Sequence, residues 1–218
     1  MTNAAKNTAP ADVFMLMGTQ CAFCGPMMQA LTELMKAGQI NRLEIVNIEH
    51  NLDLAAELGV RSVPWLRIGP FELAGSRSKQ ELSEWLDRAA SDEGIRAYME
   101  EVLSEGNIEA VRKLLKKQPE ALKNVLELMA DGDAKINVRL GVGVIIEEMA
   151  QSEAFKKVIP QLLEYLHHED PRVRSDACHN LSLTGDPAYI PAIEKLLDDE
   201  SAEVREIAQD SIDSLKQA

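Results

Sequence analysis

Cysteine is scarce in this chain: 218 residues hold three, two close together at Cys21 and Cys24 and one alone at Cys178. So few cannot form the disulfide framework of a small secreted domain, which leaves catalytic or incidental roles for them. Basic charge is also short. Against 36 Asp and Glu stand 23 Lys and Arg, a formal net charge of -13. Nucleic acid and anionic membranes both favour basic surfaces, so neither is expected as the main partner. No apolar run approaches the length of a membrane span, and the first eleven residues, MTNAAKNTAPA, lack the apolar centre of a secretory signal. A cytoplasmic protein with soluble protein partners is the expectation. The hydrophobic content of 45% is enough for real cores, and the length suits two domains.

What is present begins with VFMLMGTQCAFCGP, Val13 to Pro26. Its continuous apolar run has the pattern of a strand covered on both faces. A Cys-x-x-C pair follows where a helix should begin, carrying Met27, Met28, Leu31, Leu34 and Met35 at helical spacing up to Gly38. A cysteine facing the unpaired amides of a helix N-terminus has a stabilised, nucleophilic thiolate, so the pair reads as a redox site. Half of a zinc site is the rival reading. Cys178 is remote, however, and no second Cys or His pair has suitable spacing, so neither a metal nor another cofactor is expected.

Further along, Leu43 to Ile48 predicts a second strand and Leu52 to Leu58 a short helix ended by Gly59. The β-α-β order requires a parallel pair with a right-handed crossover. A third strand is expected over Val60 to Ile68 with Pro64 at its mouth, and Phe71 to Ala74 should pair with it as a hairpin. Residues 78 to 90 open with a Ser cap and place Leu82, Trp85, Leu86 and Ala89 on one stripe, a covering helix. Residues 1 to 11 are expected to be a frayed tail.

Three motifs together, CAFCGP, VNIEHNLDLAAELGVRSVPWLRIG and FELAGSRSKQELSEWL, resemble the thioredoxin-like superfamily over residues 12 to 91. The resemblance implies an α/β fold with a mixed sheet in the order β-α-β-β-β-α. It also implies that Cys21 attacks a target disulfide and Cys24 resolves the adduct. Pro64 matches the family's cis-proline, which lies against the disulfide, and Val63, Pro64 and Gly75 match substrate-binding positions. Three residues depart from the thioredoxin pattern: Gln20 stands in place of a tryptophan, Ala22-Phe23 in place of Gly-Pro, and Met15 where thioredoxins bury an acid. The span begins at the first strand, so glutaredoxin-like or truncated thioredoxin architecture is the expected variant.

From residue 95 to 218 strand signals nearly vanish and helical stripes take over, punctuated by Gly106, Pro119 and Gly132. A repeat is visible: residues 159–181 and 190–212 align without a gap at an offset of 31, pairing Pro160 with Pro191, Val173 with Val204, Arg174 with Arg205 and Ala177 with Ala208. Each unit reads as two helices, with the prolines in the first turn of each pair and Glu169-Asp170-Pro171 as turn and cap. A looser copy places Val138-Arg139 opposite Val173-Arg174, and residues 95 to 130 are expected to cap the array. The pattern resembles short HEAT-like repeats, of the kind also seen in phycobilisome lyases, more compact than the usual 40 to 47 residues. Such units bury their stripes by stacking and offer a curved surface for protein binding. Cys178 falls on the inner stripe as a small hydrophobe, and Gly141 and Gly143 read as close helix packing rather than a phosphate loop.

Taken together, the expected protein is a thiol-disulfide oxidoreductase that acts on protein disulfides, draws on a thiol-reducing system and docks its partners on an all-α module. The opposing expectation is an interaction scaffold or redox sensor whose thioredoxin-like part turns over little.

Overall fold

The computed structural model describes residues 10–89 and 91–217, which fall into two compact units parting between Tyr98 and Met99. Of the tail expected over 1 to 11, residues 1–9 lie outside the described residues; Pro10 leads directly into the first strand.

The first unit is built on a four-stranded sheet. Strand β1 (Ala11–Met17) is followed by helix α1 (Cys24–Lys36), β2 (Ile40–Asn47), a 3-10 turn (Ile48–His50), α2 (Leu52–Leu58), β3 (Trp65–Ile68), β4 (Phe71–Ala74) and α3 (Lys79–Arg88). The strand order is β2-β1-β3-β4, with β1 parallel to β2 and antiparallel to β3, and β3 antiparallel to β4. That central position explains the unbroken apolar run of β1: Val13, Met15 and Leu16 are all buried. Gly59 ends α2 in the left-handed region at φ 69°, a conformation glycine adopts without penalty. Ser78 caps α3 by accepting from the Glu81 amide, and Glu81 returns the bond to the Ser78 amide, a complete capping box.

The third strand is shorter than expected. It starts at Trp65, not Val60, because the Val60 amide bonds back to the Ala55 carbonyl at 2.8 Å and Pro64 has no amide to give a ladder. Next comes α4 (Asp92–Ser104), whose Tyr98 closes an aromatic cluster in this unit. Its ring stacks on Phe71 at 4.9 Å and meets Trp85 edge-on at 6.1 Å. The Tyr98 hydroxyl accepts from the Glu72 amide and donates to the Glu72 carbonyl, each at 3.2 Å.

In the second unit, α5 (Ile108–Lys117), α6 (Leu122–Met129), α7 (Ile136–Met149), α8 (Glu153–Tyr165), α9 (Pro171–Ser182), the one-turn α10 (Ile190–Ile193) and α11 (Ala202–Gln217) succeed one another. They pair as α6/α7, α8/α9 and α10/α11, and α8 packs on α6 as α11 packs on α9. Asp170 caps α9 by accepting from the Arg172 amide at 2.8 Å. The paired arginines of the repeat make equivalent contacts. Arg174 Nη1 donates to the carbonyls of His168 and Glu169 at 2.8 and 3.0 Å, and Arg205 Nη1 to those of Asp199 and Glu200 at 2.6 and 3.1 Å. Each guanidinium thus ties down the turn of its own helix pair.

One element of the repeat reading is corrected. Pro191 does stand in the first turn of α10, but Pro160 lies inside α8. Ser152 starts that helix earlier by accepting from the Phe155 amide at 3.1 Å, and Phe155, Val158 and Ile159 bury the turns before the proline. Gly141 sits under Leu103, leaving no room there for a Cβ, whereas the Gly143 position is open within 4 Å.

Candidate functional site

Strand β1 delivers the chain to Gly18, and a tight turn carries it into α1. The Cys21 amide donates to the Gly18 carbonyl at 3.2 Å and the Cys24 amide to the Cys21 carbonyl at 3.2 Å. Cys21 and Cys24 form a disulfide, their Cα atoms 5.4 Å apart. The two are not equivalent. Cys24 is the first residue of α1 and 1% exposed, while Cys21 stands outside the helix and is partly open. Beside them Phe23 is 63% exposed, an apolar ring in water next to the disulfide.

The other residues singled out from the sequence gather around the same turn. The point where Gly18 would carry a Cβ is 3.2 Å from Val63 Cγ2 and 3.9 Å from Cys21 Cβ, so Val63 and Cys21 meet over a glycine. The Val63-Pro64 peptide is cis. Pro64 is buried, and its carbonyl accepts from the Gly75 amide at 2.9 Å. Gly75, at φ 85°, follows β4 directly and turns the chain so that its amide reaches Pro64. Met15 is fully buried in β1, paired with Ile45 and Leu66 of the neighbouring strands.

A polar clamp beside the motif has no local signal in the sequence. Glu49 Oε1 accepts from the Thr19 amide at 2.8 Å and Oε2 from the Thr19 hydroxyl at 2.7 Å, while Asn47 Nδ2 donates to the same hydroxyl at 2.9 Å. The Thr19 hydroxyl, then its amide, hold the Glu49 carboxyl below the usual carboxylate range. Two side chains, Asn47 at the end of β2 and Glu49 in the following turn, therefore grip Thr19 and fix the loop that presents Cys21. Thr19 and Glu49 are 30 residues apart, and only Asn47, which caps the 3-10 turn through the Glu49 amide at 2.9 Å, announces itself locally.

Cys178 is a different kind of thiol. It is completely buried on α9, and burial, with Asp199 nearby, pushes it up to about 12. Among the described residues no group of three or more His, Cys, Asp or Glu side chains converges at a metal site, and no helix is long and apolar enough to cross a membrane.

Residues 12–87 match a family model described as a thioredoxin domain, and residues 125–213 match one for HEAT repeats. No curated protein matches the sequence. The two matches cover the sheet that carries the cysteine pair and the stacked helix pairs beginning in α6. The chain therefore joins a thioredoxin-like domain to HEAT-like repeats.

Proposed function

We propose that the protein is a thiol-disulfide oxidoreductase acting on disulfides of protein substrates, with the helical repeats as the docking surface. The observation that carries this reading is the asymmetry of the pair: a partly open Cys21 ahead of α1 and a buried Cys24 in its first turn. In the reduced protein, the Cys21 thiolate attacks one sulfur of a target disulfide, forming a mixed disulfide and releasing the target's other sulfur as a thiolate. Cys24 then loses its proton and attacks Cys21 Sγ, which releases the second target thiolate and leaves the Cys21–Cys24 disulfide. The target gains two electrons, and a thiol-reducing system returns two to the protein. Val63, Pro64 and Gly75 form the rim against which the target chain lies, and the exposed ring of Phe23 supplies apolar contact beside it.

HEAT-like repeats and a thioredoxin-like fold both suit protein partners. Tethering a docking surface to a reactive pair raises the local concentration of a bound disulfide, up to about millimolar for short flexible links. A second reading, a redox sensor of low turnover, is favoured by Met15, which places no buried acid near Cys24 to take its proton.

The experiment is trapping with the full chain. Cys24→Ser should accumulate a mixed disulfide between Cys21 and a protein partner that dithiothreitol releases, and Cys21→Ser should accumulate none. The wild type should cycle with dithiothreitol and a generic protein disulfide. Trapping without turnover selects the sensor, and the absence of a reducible adduct with Cys24→Ser sinks both readings.

A further inference from the structure

Helix α7 is apolar on both of its sides. Val138, Gly141, Val142, Ile145 and Ile146 face inward and are buried. On the outside, Ile136 and Leu140 are 66% and 63% exposed and Val144 37%, three side chains at successive four-residue steps that make one ridge. A run of exposed apolar side chains on a helix already buried on its other side is suited to cover by a second layer. Beside the ridge lies a hollow of about 300 Å³ with apolar walls at Met129, Leu140 and Ile146 and charged ones at Arg172 and Asp176.

The charges on this face are placed symmetrically. Arg139 stands four residues before Gly143 and Glu147 four residues after it, both exposed. Neither makes a salt bridge among the described residues, although Arg139 stands near enough to Asp176 of α9 to act on its carboxyl, whereas the neighbouring Glu148 is held by Arg112 at 2.6 Å. At Gly143 itself the surface is bare, with no atom within 4 Å of the Cβ position.

We propose that the outer face of α7 is a self-association surface on which two copies of this chain pair antiparallel about a two-fold axis at Gly143. In a two-fold interface, if residue i of one copy meets residue j of the other, then j also meets i. A crossing at Gly143 therefore sets Arg139 of each copy against Glu147 of the other, twice over, with Ile136 and Leu140 of both copies covered between them. The absent side chain at the crossing lets the axes approach closely, since the interaxial distance follows the side chains at the contact. Charge selects this partner. The chain carries a net -13, so two copies repel over most of their surface, yet on this face Arg172 and Asp176 offset one another, and Arg139 and Glu147 balance and each find their opposite on the second copy. The hollow beside the ridge gives the second copy's apolar side chains somewhere to enter.

The test is sedimentation of the full chain from about 1 μM to 0.5 mM, a range that spans dimers of ordinary affinity. The wild type should be a dimer that dissociates on dilution. Leu140→Lys should be monomeric throughout, and Arg139→Glu and Glu147→Arg should each weaken the dimer about tenfold or more by setting like charges opposite. The double variant Arg139→Glu/Glu147→Arg should recover to within about threefold of the wild type, because both cross-pairs are re-formed in reverse. Circular dichroism checks that these surface variants stay folded, and turnover of the cysteine pair on a small disulfide that needs no docking surface should be unchanged in all of them, so the result stands apart from the proposed redox activity. A wild type that stays monomeric, or a dimer indifferent to Leu140→Lys, overturns the proposal. A dimer that Leu140→Lys breaks and the double reversal fails to restore overturns the two-fold register at Gly143.

Discussion

Cys24 opens a helix at the edge of the sheet unit with a partly exposed cysteine bonded to it, while Cys178 lies mid-helix in the second unit with no exposure at all. Buried charge shows the reverse distribution. In the sheet unit the polar clamp of Thr19, Asn47 and Glu49 lies at the surface, holding a loop. In the helical unit Arg174 is inside, 8% exposed at its side chain, gripping Asp199 of the next helix pair through two bonds of 2.8 Å. A sheet joins distant segments through its backbone ladder, so its side chains are free for chemistry at the rim. Stacked helix pairs have no ladder between them. Their neighbours must be joined by side chains, and an arginine that satisfies two carbonyls of its own turn and a carboxylate of the next pair does that in one residue.

The widest contrast is in thiol reactivity. With the disulfide reduced, a neutral alkylating reagent at pH 7 should label Cys21 first, Cys24 slowly and Cys178 only after unfolding; at about 12, roughly one Cys178 in 10⁵ is ionised at that pH. Mass-spectrometric mapping against time checks this, and native labelling of Cys178 at a rate near that of Cys21 would erase the difference between the units.

Arg174→Ala probes the other side of the comparison. It leaves the Asp199 carboxylate buried without its cation, a loss of about 3 kcal/mol, confined to the helical unit. Arg205→Ala removes carbonyl contacts from an exposed side chain and should cost about 1 kcal/mol. Amide hydrogen exchange should show protection falling in α9 and α11 for the first variant and unchanged in the sheet.

The prolines separate two positions that the repeat makes look alike. Pro160→Ala should stabilise the helical unit by about 1 to 3 kcal/mol, since a helix interior disfavours proline. Pro191→Ala, at a first turn where no amide is needed, should be neutral or slightly unfavourable. Urea denaturation of the pair gives the sign of each.

Acid should distinguish the units least. The Arg174 guanidinium holds the Asp199 carboxyl below its ordinary range, and the Thr19 hydroxyl does the same for Glu49. Because the folded state depresses both, their contribution is complete above the unfolded values of about 3.9 and 4.3 and is lost as pH falls through the folded ones. Melting curves between pH 7 and 3 should decline toward the acid end, and Asp199→Asn should flatten that decline in α9 and α11 more than Glu49→Gln does in the sheet. The buried member of the pair sets the larger share.

Much of this was legible in the sequence where the cause is local. The run Val13 to Met17 needed cover on both faces and lies between two strands; Ser78 followed by Glu81 makes its capping box; Gly59 ends α2. Misreadings came where a local rule was overruled from nearby. The alignment of Pro160 with Pro191 is correct, yet Ser152 and Phe155 set the start of α8 a full two turns earlier. The apolar residues from Val60 onward looked like strand, but the amide of Val60 was claimed by Ala55 and Pro64 offered none. What left no trace were pairings across distance. Nothing in the neighbourhood of Thr19 points to Glu49, and nothing around Arg174 points to Asp199.

Tyr98 also changes the standing of β4. That strand is one of the two outer strands of the sheet, and an outer strand offers its unpaired amides and carbonyls as a template on which a foreign chain can extend the sheet. The Tyr98 hydroxyl occupies both backbone groups of Glu72, in the middle of a strand only four residues long. A single phenol therefore guards this edge of the sheet against cross-β growth, and loss of that hydroxyl would be felt first in the solubility of the protein at high concentration rather than in its chemistry.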